Sequence, residues 1–507
     1  MEKEKERIIE LSLIAVLFLS VFFINLPMAS IEFLQPDGCG YLDMGRNLFT
    51  GKGAVISYNI NQYWSGKYYP FLPYMQPLYG IIAGGIWLLF GLSAVSGFNI
   101  LLMALSCVLL YKILRMHTDK YSSFLISIFV GFSTTLLFVA IAPLTEQLNL
   151  FILILTIFVY LRYDDRKFLV GLLLALNCLV RASSLYIVFW FMVSIVVISG
   201  FSKEKLKGCL KVAAGFLAAF LSYEIFCYIR YGVFYPEYLL PAKIYRSAAM
   251  YPGAFYQDKM PTLNMPALKV GADIVFTNIG KNIVGFIENF QNLKFVLLLI
   301  PPYVIFNIIK KRNPLSIIFF FQGLGIIVGY TLSHTWDPVY EFARFSVIPF
   351  TMLASLGFLA IRDIFSNMLP ERIERRFPVV FFIIISIFFY FHIIEYKGFR
   401  NFYLNIYPQK FQDYTIDRDM MYEWIKKNTG KEDLIATTFL RDAVFLDRPV
   451  VSVPRENWLS RKNVEDFIRI YKPKYVLTKD KELIVMLDSL GFKLKNKSKY
   501  MILLGEE

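Results

Sequence analysis

Four short stretches of the 507-residue sequence pair a charged side chain with residues that shape the backbone around it. In Pro36-Asp37-Gly38-Cys39-Gly40-Tyr41, the glycines after Asp37 let the chain turn tightly and approach a ligand. A carboxylate in that setting can take a proton from an acceptor hydroxyl. The same residues also read as an Asp-Gly turn at a helix end. In Pro143-Leu144-Thr145-Glu146-Gln147 an acid stands at the edge of an apolar run. Ionisable groups there are costly unless paired or facing a cavity, and a snorkelling loop carboxylate is the plain alternative. In Leu179-Val180-Arg181-Ala182-Ser183-Ser184 an arginine stands among apolar residues and needs a partner. A phosphate suits the planar fork of a guanidinium, and a structural Asp or Glu suits it equally. Trp336-Asp337-Pro338 followed by Glu341-Phe342-Ala343-Arg344-Phe345 brings both signs of charge together. It reads as a binding rim, or as an interfacial anchor with an internal Glu341–Arg344 pair.

The elements that must position these groups are membrane helices. The sequence is 56% hydrophobic and 17% aromatic, with only 18% charged residues and a mean hydropathy of +0.51. That is too apolar for a soluble chain of this length. Apolar segments lie near residues 9–29, 78–92, 97–114, 121–142, 147–161, 168–200, 209–229, 294–309, 314–333, 345–361 and 378–394. The formal charge of +14 gathers in short clusters between them: Lys112/Arg115/Lys120, Arg162/Arg166/Lys167, Lys203/Lys205/Lys207, Lys310/Lys311/Arg312 and Arg372/Arg375/Arg376. Such clusters mark cytoplasmic loops rather than a nucleic-acid surface. Five cysteines mostly lie in or beside apolar runs, and with three histidines no zinc-type spacing occurs. The charged start before the first apolar run reads as an uncleaved first span with a cytoplasmic N-terminus, the Ala29-Ser30 pair being the alternative cleavage site.

Placing every basic cluster on one side forces an even number of crossings between them. Residues 168–200 then hold two short helices with a reversal near Arg181–Ser184. Residues 78–92 become a helix begun by Pro77 and lying in the interface. The expectation is a polytopic α-helical membrane protein of about 11 spans, its membrane module covering residues 1–395 with outer loops at about 30–96 and 230–292. A linker over 396–412 leads to a small soluble α/β domain over 413–507, outside the cell. In it, Met420–Lys427, Val464–Tyr471 and Glu482–Leu490 read as helices, with Asp417 as a cap. Leu434–Thr438, Val450–Val453, Tyr475–Thr478 and Tyr500–Leu504 read as strands. No Gly-rich phosphate loop occurs there. With this topology all four charged stretches fall on the outer side.

Taken in order, these motifs resemble the GT-C membrane glycosyltransferases, in the branch of protein O-mannosyltransferases, the aminoarabinose transferase of lipid A and RgtA/B/C/D-like enzymes. The resemblance runs from Asp37-Gly-x-Gly-Tyr41 through Gln76-Pro77-Leu78-Tyr79 with Phe90-Gly91, Thr145-Glu146, Gly171 with Leu179-Val180-Arg181, and Glu341-Phe-Ala-Arg344-Phe345 with Pro349. Gln76 stands where many relatives have His-Pro, Ala182 replaces a usual proline, and two residues separate Glu341 from Arg344.

The resemblance implies an inverting, metal-independent transfer of a sugar from a polyprenyl-phosphate donor, with no cofactor. The acceptor is an extracytoplasmic glycan, lipid or protein, and the enzyme is a multi-pass protein of the cell membrane among membrane lipids. It makes Asp37 the catalytic base, Arg181 and Arg344 the holders of the donor phosphate, and Tyr41, Gln76, Glu146 and Glu341 substrate-binding residues. The alternatives are a transporter of lipid-linked saccharides, for which internal repeats are expected and none is seen, and an O-antigen polymerase or ligase.

Overall fold

The computed structural model describes residues 2–31, 36–53, 56–59, 76–199, 203–231, 276, 279–280, 283–287, 294–310, 313–333, 344–368, 377–437, 442–453 and 459–506. Glu341 and the Trp336-Asp337-Pro338 stretch lie outside these residues. The elements in chain order are α1 (Glu2–Asn25), α2 (Pro36–Phe49), β1 (Tyr58–Asn59), α3 (Pro77–Phe90), α4 (Leu92–Arg115), α5 (Lys120–Gly131), α6 (Thr134–Ile141), α7 (Glu146–Arg162), α8 (Lys167–Val180), α9 (Ser184–Ser199) and α10 (Lys203–Tyr231). There follow α11 (Lys294–Leu297), α12 (Ile300–Lys310), α13 (Pro314–Ser333), α14 (Val347–Met368), α15 (Phe377–Asn401) and α16 (Tyr407–Asn428). The chain ends with β2 (Ile435–Thr437), α17 (Asp442–Leu446), β3 (Val450–Ser452), α18 (Arg461–Tyr471), β4 (Tyr475–Thr478), α19 (Lys481–Ser489), β5 (Phe492–Lys497) and β6 (Ile502–Glu506).

Among the described residues six helices are long and apolar enough to cross a bilayer. The count is seven if α5 and α6, bent by 51° at their junction, act as one span. The sequence expectation was about eleven. Several of its spans, such as α7, α8 and α9, are shorter than the usual twenty residues. A break after Val180 separates α8 from α9, where the sequence expects a reversal, and Pro77 is the first residue of α3.

The chain divides into two compact units. The first comprises Met1–Glu32, Leu92–Phe226 and Val275–Phe402. In it α4 packs on α1, α5 and α7, while α13 packs on α9 and α14. Some buried polar side chains pair across the helices, as a bilayer favours. Tyr396 Oη donates to Asn25 Oδ1 at 2.6 Å, joining α15 to α1. Helices α8 and α10 come into backbone contact, because a Cβ on Gly171 would run into the Val212 carbonyl and one on Gly215 into the Phe168 carbonyl.

The second unit comprises Phe33–Gly91, Cys227–Ile274 and Tyr403–Glu507. Its centre is a six-stranded sheet in the order β1-β3-β2-β4-β6-β5. The pairs β1·β3, β3·β2 and β2·β4 are parallel, and β4·β6 and β6·β5 are antiparallel. Successive strand residues point to opposite faces. Ile435, Val450, Leu477 and Leu503 therefore join a core with Met421, Tyr422 and Ile425 of α16. Their neighbours Ala436, Val451, Val476 and Leu504 join a second core with Val464, Phe467 and Leu483 of α18 and α19. Both faces of the sheet are thus covered.

Two details differ from the sequence reading of this region. Asp417 is not a helix cap: α16 begins ten residues earlier, at Tyr407, and Asp417 is buried. It accepts from the Ser498 hydroxyl at 2.6 Å and from the Lys499 and Tyr500 amides at 3.0 and 2.9 Å, fixing the turn before β6. The segment 396–412, expected as a linker, is helical throughout.

Candidate functional site

Three elements converge on one carboxylate in the first unit. Glu146 is the first residue of α7, where unpaired helix amides favour a negative charge. Side chains of α4 and α7 hold the corner that leads into it. Asn99 Nδ2 donates to the Ala142 carbonyl at 2.9 Å, Ser96 Oγ to the Ile141 carbonyl at 2.9 Å, and Gln147 Nε2 to the Leu136 carbonyl at 2.7 Å. Pro143 prevents α6 from running on into α7, so these side-chain bonds replace the missing helical ladder.

Arg181 occupies the break between α8 and α9 with extended backbone, its φ being −155°. Its Nη1 reaches Glu146 Oε1 at 2.6 Å and donates to Thr145 Oγ1 at 3.1 Å. Its Nε donates to Ser183 Oγ at 2.9 Å and to Tyr330 Oη at 3.1 Å. Arg344 Nε meets the same Glu146 oxygen at 2.9 Å. Glu146 and Arg344 are buried, so both contacts are charge-assisted bonds in a medium that strengthens them. Tyr330 donates to Ser183 Oγ at 2.6 Å and stacks on Phe345 with ring centres 4.0 Å apart. Arg181 lies 5.3 Å and Arg344 5.8 Å from the centre of that Phe345 ring, within cation–π range.

These groups line a small cavity of about 20 Å³. Glu146, Asn149, Arg181, Ser183 and Arg344 supply its polar lining, and Ile187, Ile326, Val347 and Ile348 its apolar lining. The structure therefore brings together three of the residues singled out in sequence, Glu146, Arg181 and Arg344. It adds Asn149, Tyr330 and Phe345. Asn149 stands three residues after Glu146 on the same side of a mostly apolar helix, a polar spacing that marks it after the fact.

Of the other singled-out residues, Glu341 lies outside the described residues, and Asp37, Tyr41 and Gln76 belong to the second unit. Asp37 lies in the first turn of α2 and is half-buried, with an electrostatic or hydrogen-bonded neighbour. Tyr41, one turn on, is buried and meets Tyr79 of α3 edge to face at 5.3 Å. Gln76 is the buried residue before α3. The two helices touch at their backbones, since a Cβ on Gly45 would run into the Gly80 carbonyl and the Gly84 Cα. Asp43, which the sequence analysis does not single out, is buried and ion-paired with Arg46. Its other oxygen accepts the Ser57 amide. Burial pushes the Asp43 carboxyl up from its ordinary value, while the Arg46 guanidinium and then the Ser57 amide act in the opposite sense.

No family model matches the chain, and no curated protein does. Solved structures do. ArnT from Cupriavidus metallidurans superposes with a TM-score of 0.59 at 12% identity, over 97% of each chain, and the same protein bound to undecaprenyl phosphate gives 0.56. The archaeal oligosaccharyltransferase AglB from Archaeoglobus fulgidus, in complex with an inhibitory peptide and a dolichol-phosphate, gives 0.59 at 11% identity. That match covers 93% of this chain and 69% of AglB. The fold is therefore the GT-C fold of these membrane glycosyltransferases. A further structure of AglB is a complex with zinc and sulfate. Among the described residues here, no three His, Cys, Asp or Glu side chains come together in a way that could hold a metal ion.

Proposed function

We propose that this protein is a membrane glycosyltransferase that moves a sugar from a polyprenyl-phosphate carrier to an extracytoplasmic acceptor, a glycan, lipid or protein. The observation that carries the reading is the pair of guanidiniums, Arg181 and Arg344, meeting at Glu146 in a cavity with both polar and apolar lining. Such a lining suits an amphiphile with an anionic head and a hydrocarbon tail. The GT-C fold, shared with proteins bound to undecaprenyl phosphate and dolichol-phosphate, supports it.

In this reading Glu146 holds the two arginines in place and they grip the phosphate. The acceptor oxygen attacks the anomeric carbon from the face opposite the phosphate. The bond from that carbon to the phosphate oxygen breaks, and its electrons leave with the polyprenyl phosphate, whose added charge the guanidiniums stabilise. The acceptor proton passes to the Asp37 carboxylate, and the sugar ends with inverted configuration. Tyr41, Gln76 and Glu341 contact substrate, and the step calls on no metal or cofactor. The C-terminal domain lies outside the cell and the N-terminus in the cytoplasm.

The test is binding of labelled polyprenyl phosphate to the purified protein in lipid nanodiscs. It is paired with mass spectrometry of surface glycans from cells with and without the gene. Binding that weakens when either arginine is replaced, and a glycan that loses one sugar without the gene, are expected. Lipid-phosphate binding indifferent to both arginines overturns the assignment.

A further inference from the structure

Helix α2 carries Asp37, and its hold on the rest of the second unit runs through a small buried network. Asp43 bonds Arg46 through one carboxylate oxygen and the Ser57 amide through the other. Asn47 Nδ2 donates to Ser57 Oγ at 2.9 Å. Ser57 precedes β1, two residues of the first outer loop that form the edge of the sheet in register with Val450 and Val451 of β3. The ladder continues through Ser57, whose carbonyl accepts the Val450 amide at 2.8 Å. Arg46 reaches the same domain from its other side, with Nη1 3.5 Å from Asp447 Oδ1. Asp447 stands in the left-handed region with φ 53°, between α17 and β3, and α17 itself packs on α2.

The guanidinium of Arg46 is thus shared between a carboxylate on its own helix and one on the C-terminal fold. A two-residue strand joins the same fold to the loop that follows α2. Separation along the chain is large: Asp43 to Ser57 spans 14 residues, whereas Arg46 and Asp447 stand at opposite ends of the sequence. A contact of that reach does not stabilise α2 as an isolated helix. It fixes where α2 lies on the C-terminal fold.

We propose that Asp43 and Arg46 are positioning residues for Asp37, and that the C-terminal α/β fold sets the placement of α2 through Asp447 and β1. The kinetic part of this rests on the glycosyltransferase reading of Asp37. Asp43 is not a second base, because both of its oxygens are engaged and its side chain is fully buried.

The experiment uses the full-length protein in nanodiscs and two readouts, hydrogen exchange of the 36–49 amides and steady-state transfer. Arg46→Met removes the shared cation. It is expected to speed exchange in α2 and to lower kcat by ~10–100-fold, the cost of a displaced reacting group. Donor affinity and acceptor KM should hold, and Arg46→Lys should recover part of kcat. Should Arg46→Met fail to fold, Asp447→Asn loses only the half-exposed pair and keeps a residue tolerant of the left-handed conformation. Its expected effect is about two- to fivefold on both readouts. Unchanged α2 exchange overturns the clamp. Faster exchange with unchanged kcat overturns the positioning role. Wild-type protein that transfers no sugar overturns the glycosyltransferase reading, and the exchange readout still decides the clamp.

Discussion

The two units each bury a carboxylate against arginine, and they do so in opposite proportions. In the first, two guanidiniums meet one carboxylate oxygen of Glu146, and the group opens on a cavity. In the second, one guanidinium lies between the carboxylates of Asp43 and Asp447, and the second Asp43 oxygen takes a backbone amide. Burial and ion pairing are common to both, so neither feature identifies a ligand site. Their surroundings separate them. Two guanidiniums at one carboxylate beside a cavity suit the anionic ligand proposed above. Where acceptors are matched by donors from the chain itself, the cluster holds elements together.

The largest effect should come from the helix that the second cluster anchors. Asp37→Asn keeps the shape and removes the basicity, and turnover should fall by ~10²–10⁴ while polyprenyl phosphate still binds. Separate measurement of binding and transfer checks this, and near-normal transfer would sink the assignment of Asp37 as base. Next in size is Glu146→Gln, which takes this carboxylate from the buried Arg344 and the half-buried Arg181 and should cost ~3–5 kcal/mol of stability. A saturating lipid phosphate should return much of that loss, read as a rise in melting temperature larger than in wild type. The same addition should not rescue Asp43→Asn. If both variants are rescued alike, or neither is, the distinction between the clusters fails.

Arg181→Ala separates the units kinetically. It should weaken apparent donor affinity by about 10- to 100-fold, the range for a lost charged hydrogen-bonding partner. Acceptor KM should be left alone. Arg181→Lys keeps the charge without the fork and should recover only part. An unchanged donor affinity in folded protein would make Arg181 structural.

Much of the membrane unit was legible because a single quantity, hydrophobicity interrupted by basic clusters, governs it. A break at Arg181 was expected from the need for paired crossings between Arg162/Arg166/Lys167 and Lys203/Lys205/Lys207, and a break falls there, between α8 and α9. The bend between α5 and α6 did not show, since Ser133 makes it by capping Leu136 from within an apolar run. The meeting of Glu146 with Arg181 and Arg344, 35 and 198 residues away, depends on how helices pack. No local pattern encodes that. Strand β1 is too short for an alternation to be seen. In β5 the exposed Lys493 and Lys495 and the register shift between Leu494 and Asn496 hide the period. Asp43 escaped because Ser57 comes from a loop 14 residues on, and because its nearby partner Arg46 is itself tied to Asp447 at the far end of the chain.

Tyr330 offers the finest test of the first cluster. Its hydroxyl accepts from Arg181 Nε at 3.1 Å and donates to Ser183 Oγ at 2.6 Å, while its ring rests on Phe345. The hydroxyl therefore fixes the rotation of the guanidinium, and the ring fixes the hydroxyl. Tyr330→Phe keeps the stacked ring and removes only the two bonds. Each is worth about 0.5–1.5 kcal/mol net, and Arg181 retains Glu146, Thr145 and Ser183 as partners. The expected outcome is a donor affinity about two- to tenfold weaker, with little change in stability or in acceptor KM. Titration of labelled polyprenyl phosphate against both proteins measures it. Should Tyr330→Phe lower stability and leave donor affinity untouched, the Tyr330–Ser183–Arg181 chain belongs to helix packing, as the Asp43 cluster does. The cationic cluster would then lose part of its claim to be shaped for a phosphate.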